Sequence, residues 1–351
     1  MKHYCIITTA LLILVFSSCE TIIEDTQTQK SQGLLVLNNG TWGGNDSNIA
    51  VYDLATEEIT PSAFMTANSQ ALGDLAQDIL RVDNRLYIAV YGSQTIFVTD
   101  ADLKIIGKID AENNGIRLSP RALRSSGGKL YISYYEGFVG EVPYSSSSVR
   151  LTAVGENPEG LDVAGENLYV ANSGGMAYPM YGNTISVVST ADFKEISKIE
   201  VNANPAKVET SPDDRMVYVS SFGDYASAPA MLQVIETETG KVTDLDYDTV
   251  SSIAKGPGGI LYILCGGYDE NWAPLPGTVY MHDMNKNTPL GKFVVDGTEL
   301  KNAYSISVTS EGYVAVGCSD YVTTGDVFLF SPAGCLHARF DSCGLNPLVV
   351  L

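Results

Sequence analysis

The chain has 351 residues, with 41 acidic against 21 basic side chains and a formal net charge of −20. That surplus repels phosphate backbones and anionic lipid surfaces, which argues against a nucleic-acid partner. The cysteines are too few for a disulfide scaffold, and no C-x-x-C spacing suggests zinc.

In chain order, the first feature is an address. Lys2 precedes an apolar run from Tyr4 to Phe16, shorter than the roughly 20 residues a membrane-spanning helix needs. Ser17 and Ser18 stand directly before Cys19, which resembles a lipobox in which Cys19 is acylated and becomes the new N-terminus. The alternative is an ordinary secretory signal with Cys19 incidental. Residues 1–18 are thus expected to be a signal peptide and 19–32 a polar, aperiodic tether. Acidic residues close behind Cys19 resemble the export signals of surface lipoproteins. The expected location is the outer membrane, on the cell surface, lipid-anchored.

From Gly33 to the C-terminus the chain repeats itself. A strand type reads Leu34–Leu37, Leu86–Ala89, Leu130–Ser133, Leu168–Ala171, Val217–Ser220, Leu261–Leu264 and Tyr313–Val316. A second type follows each, beginning at Ile49, Ile96, Phe138, Ile185, Leu232, Val279 and Val327. Those starts lie 47, 42, 47, 47, 47 and 48 residues apart. A turn and a further strand such as Glu195–Val201 come next, and another strand, such as Ala206–Thr210, precedes each unit. Four short strands repeated at this period predict an all-β chain, a seven-bladed β-propeller of four-stranded blades over residues 33–351. Tandem sandwiches would not give this period.

The first unit lacks its innermost strand. Asn346-Pro347 repeats the lead-in seen at Asn157-Pro158 and Asn204-Pro205, where proline suits the first position of a strand. The C-terminal strand is therefore expected to join the N-terminal blade and close the ring. Cys335 and Cys343 bracket one strand, too far apart to pair with each other, while Cys265 and Cys318 end equivalent strands in neighbouring units.

Leu168-Tyr-Val-Ala-Asn-Ser173, Asn183–Thr190 and Asn204–Asp214 make the chain resemble the YncE-like, YVTN-repeat seven-bladed propellers, over essentially everything after Gly33. Gly33–Asn45 and Ala71–Asp78, together with the lipobox, are similar to the BtuG-type surface lipoproteins. That resemblance implies capture of cobalamin or a related corrinoid (a ligand, with no cofactor) and delivery to a BtuB-like, TonB-dependent outer-membrane transporter. It fixes no corrinoid contact position by position.

In a propeller, the loops joining second to third strands and those leading into the inner strand share one face. Most second-to-third connections here exceed what closure requires, and that from Cys265 to Gly277 runs to thirteen residues. Each holds an aromatic residue: Trp42, Tyr91, Tyr135, Tyr178 with Tyr181, Phe222 with Tyr225, Tyr268 with Trp272, and Tyr321. Polar Asn45, Asp46, Asp224, Asp269 and Asn271 are interleaved. Flat rings with convergent polar groups suit a large, flat, polar-edged ligand, and these residues are the candidate contacts. A corrinoid and an oligosaccharide both fit. The simpler reading has the rings cap the strands beneath them.

Catalysis has little sequence support. After processing only His282 and His337 remain, both within or beside strand signals, and no Gly-x-Ser-x-Gly, His-Glu-x-x-His or P-loop pattern occurs. Asp213-Asp214 reads as a solvated turn. Asp269-Glu270 could take Ca²⁺, but without ligands at a recognisable spacing. The expectation is a non-enzymatic binding protein without a metal. The alternatives are a glycan- or protein-binding adhesion module on the same face, or a lactonase-like propeller enzyme with carboxylates and a metal at the central tunnel.

Overall fold

A computed structural model describes residues 33–268 and 273–351. Every one of the seven repeat units forms a four-stranded antiparallel sheet, with strands in order from the axis outward. The chain is a seven-bladed β-propeller.

Blade 2 shows the plan, with strands Ala76–Val82, Arg85–Val90, Thr95–Asp100 and Ile105–Ile109. Second and third strands are buried on both faces because a neighbouring blade covers each side. Their apolar runs are consequently continuous rather than alternating. Outer strands face solvent: all five residues of Thr288–Lys292 are exposed, and Lys194–Glu200 carries charges along its length. Charged side chains on such an edge discourage pairing with a second molecule. Seven apolar clusters fill the seven gaps between adjacent blades. One short helix, Ala63–Asn68, stands beside the two-residue outer strand of blade 1 and buries Phe64 against Phe97.

The ring closes as expected. Pro347–Val350 pairs antiparallel with Gly33–Asn38, so the two ends of the repeat region build blade 1 together. Leu35 and Leu351 exchange backbone hydrogen bonds of 2.9 and 3.0 Å. Leu34, Val36, Tyr52 and Val350 then pack on Ala315, Val327 and Leu329 of blade 7, and Tyr52 stacks on Phe340 at 3.9 Å.

One expectation is corrected. The connection in blade 6 is not a thirteen-residue loop, because its strands run on to Ile260–Tyr268 and Pro274–Asp283. After a bulge between Cys265 and Gly267, Gly267 pairs with Leu275 and Tyr268 with Pro274. The hairpin is a ribbon extending beyond the sheet. The prolines fit at its far end, where one strand needs no donor toward a neighbour. Asp269, Asn271 and Trp272 lie outside the described residues, as do Cys19 and the whole of residues 1–32. Cys265, Cys318, Cys335 and Cys343 are all free thiols, and Asp213-Asp214 is a turn braced by Arg215.

Candidate functional site

One hydrogen bond recurs in every blade and builds the upper face. The residue at which the regular ladder of the second strand ends, in blade 6 at the bulge after Cys265, donates its backbone N–H to the carbonyl just before an inner strand. Asn39, Tyr91, Tyr135, Ser173, Phe222, Gly266 and Ser319 donate to Asn346, Leu75, Ser119, Asn157, Asn204, Thr249 and Asn302, at 2.9–3.2 Å. Six of those seven acceptors, all but Ser119, sit in the left-handed region with φ of 47–59°. Four of the six are asparagine, which tolerates that conformation better than other non-glycine residues. Immediately beyond, the register slips at the start of each inner strand. The slip is a bulge, an irregularity that re-aims the side chains at a strand's start.

Above these pins the predicted rings meet in arcs. Trp42 lies 5.9 Å from Tyr91, which meets Tyr135 edge-on at 5.5 Å. Arg121 stands beneath both tyrosines, 5.4 and 5.0 Å from their centroids, and its guanidinium takes Glu159 in a two-pronged pair of 2.6–2.9 Å. Burial, reinforced by Glu159, pushes the Tyr135 hydroxyl up to about 12 despite Arg121. A second arc joins Tyr178, Tyr181 and Tyr225, each step 6.0 Å. On its loop Met176, Tyr178 and Met180 are 75%, 73% and 81% exposed. Tyr321 meets Tyr304 edge-on at 5.5 Å.

Two of the predicted polar contacts are already engaged in holding their own loops. Asp46 accepts from the N–H and hydroxyl of Thr41. Asp224 accepts from three successive backbone N–H groups and from Ser227, which holds its carboxyl down at about 2. Asn45 is apart from Phe222 and Tyr225, lining a separate recess of about 370 Å³ with residues of blade 2 such as Ser93 and Phe97.

A cleft of about 1320 Å³ lies over blades 5, 6 and 7. It gathers predicted Phe222, Tyr225 and Tyr321 and adds Tyr247, Tyr304, Asp244, Asp246 and Asp248, which the sequence reading did not single out. Gly266 and Gly267, at the base of the blade 6 ribbon, form part of the wall. Tyr247 is fixed from behind by the Nδ1 of His282 at 3.0 Å, whose Nε2 meets Asn287 at 2.9 Å. Burial lowers the affinity of His282 for a proton, so its neutral form accepts from Tyr247 and donates to Asn287.

Below the face, the inner strands carry a charge network. Arg124 of blade 3 reaches Glu209 of blade 5 at 3.2 Å and Asp78 of blade 2 at 3.7 Å. Lys255 of blade 6 reaches Asp162 of blade 4 at 3.0 Å and Glu209 at 3.9 Å. Pairs that skip a blade can close only near the axis. Desolvation raises Glu209; it acts on Asp162 as well, but Lys255, Arg124 and the Thr210 N–H outweigh it and hold that carboxyl below its usual range. Among the described residues, no group of three His, Cys, Asp or Glu side chains could hold a metal ion.

No family model matches the chain, and no curated protein matches it either. Solved structures do, at low identity. A suspected 6-phosphogluconolactonase from Bacteroides fragilis is 13% identical, with a TM-score of 0.63 over 92% of this chain and 98% of that one. The WD40 β-propeller domain of Doa1 is 12% identical, with a TM-score of 0.59 over 86% and 89%. Kuenenia stuttgartiensis hydrazine synthase is 18% identical, with a TM-score of 0.58 over 76% and 85%. At these identities the likeness is one of fold.

Proposed function

We propose that this propeller binds a large, flat, polar-edged ligand in the cleft over blades 5–7 and does not transform it. The observation that carries this reading is the cleft itself. At about 1320 Å³, walled by five aromatic side chains, it exceeds the 300–1,000 Å³ common for drug-sized ligands. Rings with exposed faces supply contact area, and the tyrosine hydroxyls and backbone of the lead-ins supply polar partners.

A corrinoid is the first candidate, on the resemblance of Gly33–Asn45 and Ala71–Asp78 to the BtuG-type lipoproteins. In that reading Cys19 carries the lipid that holds the protein at the cell surface, and the ligand passes to a TonB-dependent transporter. Calorimetric titration with cyanocobalamin tests it: saturable heat and co-elution are expected, and neither appearing would overturn the corrinoid assignment.

The exposed Met176, Tyr178 and Met180 favour a second reading, an adhesion surface for a glycan or protein, which predicts retention on glycan arrays without corrinoid binding. A lactonase reading draws on the Bacteroides fragilis neighbour alone. A phosphorylated sugar lactone such as that neighbour's name specifies would meet no lysine or arginine among the described residues that line this cleft. Turnover lost on chelation would restore that reading.

A further inference from the structure

The cleft over blades 5–7 has a sign. Among the described residues, its titratable lining side chains other than tyrosines are Asp244, Asp246 and Asp248, and no lysine, arginine or histidine lines it. Asp244 accepts a hydrogen bond from Gln233 at 2.7 Å, which fixes the carboxylate without neutralising it. Asp246 and Asp248 follow on the connection between blades 5 and 6, on either side of Tyr247. The charge of Asp248 adds to burial in pushing the Cys265 thiol up to about 12, so its field reaches the blade beneath.

The walls favour the same sign independently. Phe222, Tyr225, Tyr247, Tyr304 and Tyr321 contribute ring faces and edges, and the negative face of an aromatic ring attracts a cation. Among the basic groups nearest the axis, Arg121 is paired with Glu159, Arg124 with Glu209 and Asp78, and Lys255 with Asp162, while burial lowers the affinity of Lys207 for a proton. A ligand in the cleft therefore meets carboxylates and π-faces with no lysine or arginine among the described lining residues, the positive charge of Arg121 reaching only as far as Tyr304, on a chain of net charge −20.

We infer that the cleft selects an organic cation, a flat ring system or amine bearing delocalised positive charge, over neutral and anionic molecules of the same shape. The inference rests on the cleft being the binding site proposed above. Its chemistry is that of an aromatic cage rimmed by carboxylates: the rings desolvate and hold the cation's flat face, and Asp246 and Asp248 supply longer-range attraction. Anions of comparable size that carry no balancing positive charge of their own are turned away.

A matched set of probes tests charge separately from shape: N-methylacridinium, neutral acridine and acridine carboxylate, titrated by fluorescence at mildly alkaline pH. N-methylacridinium is expected to bind about tenfold more tightly than acridine, with acridine carboxylate weakest. High salt and the double change Asp246→Asn with Asp248→Asn should narrow that gap, and Tyr304→Ala should weaken the cation. Melting curves of each variant check that the propeller remains folded. Equal affinity for the three probes, or tightest binding of the carboxylate, overturns the charge selection while leaving the cleft as a binding site. A cation preference that survives both aspartate changes, or is indifferent to Tyr304→Ala, also overturns it. Binding of none of the probes overturns it too, and a positive cyanocobalamin titration would then show that the proposed function stands without it.

Discussion

Asp162 sits where three blades meet near the axis. It belongs to blade 4, accepts from the Thr210 N–H and hydroxyl of blade 5 at 2.9 and 2.8 Å, and pairs with Lys255 of blade 6. Asp162→Asn keeps the shape but leaves Lys255 a weaker partner. Breaking a fully buried pair costs about 3–5 kcal/mol; with Lys255 one-third exposed to channel water, about 2 kcal/mol is expected in urea unfolding. The pH sign follows from the lowered carboxyl. The unfolded chain takes up the Asp162 proton first as pH falls. The contribution is thus complete above the ordinary aspartate range and lost as pH drops through the depressed folded value. Acid unfolding of Asp162→Asn should accordingly converge on that of the unaltered protein at low pH. These residues were not singled out from the sequence. Charges inside otherwise apolar inner strands (Asp78, Arg124, Asp162, Lys207, Lys255) recur blade after blade, yet their pairing across the axis depends on which blades face each other. The same distinction separates the rings that the sequence reading found from those it missed. Tyr225 and Tyr321 stand in second-to-third connections, where aromatics were sought. Tyr304 sits at the bulge between Ala303 and Ser305 that opens its inner strand, and Tyr247 stands in the lead-in to blade 6, positions that join the cleft only once neighbouring blades are packed side by side. Tyr304→Ala should weaken a corrinoid or other flat ligand by at least about 1 kcal/mol, read by calorimetry, while changing the melting temperature little.

At the scale of the element, the blade 6 hairpin is the instructive case. Cys265-Gly-Gly-Tyr268 and Pro274-Leu-Pro-Gly277 are rich in residues that interrupt strands, and a sequence reading makes them loop. Their pairing becomes possible because the ribbon runs past the neighbouring strands of its own sheet. Glycine and proline cost least where the ladder has no further strand to serve. Replacing residues 266–277 with a two-residue Asn-Gly turn should leave the regular Ile260–Cys265 pairing in place, since that register is set within the sheet. The expected outcome is a melting temperature within a few degrees of the unaltered protein, together with weaker ligand binding, because Gly266 and Gly267 form part of the cleft wall. A collapse of the whole domain would show instead that the ribbon supports the blade.

For the whole molecule, the period of the repeat carried the prediction of fold, and it did so because each blade must bury both faces on its neighbours. Seven near-equal units leave one arrangement in which no face is left over, a closed ring. What holds the ends together is the strand Pro347–Val350, with its ladder to Gly33–Asn38 and the cluster it shares with blade 7. Deleting residues 346–351 removes the inner strand of blade 1 and opens a gap on two interfaces. The loss should be comparable to the entire net stability of a domain, on the order of 5–15 kcal/mol, and should appear as a large fall in melting temperature or loss of the cooperative transition. An unchanged melting curve would refute the closure.

The recurring N–H to carbonyl pin has a consequence for how this face can change. Each pin fixes the two chain segments that flank a slot, whatever length of chain is spliced above it. The seven slots hold everything from the tight turn after Tyr91 to the long ribbon of blade 6 on the same kind of footing. Loop content and ring integrity are thereby separable, so that segments of this face could be exchanged one at a time against new ligands, with the pinned circle serving as a standing frame.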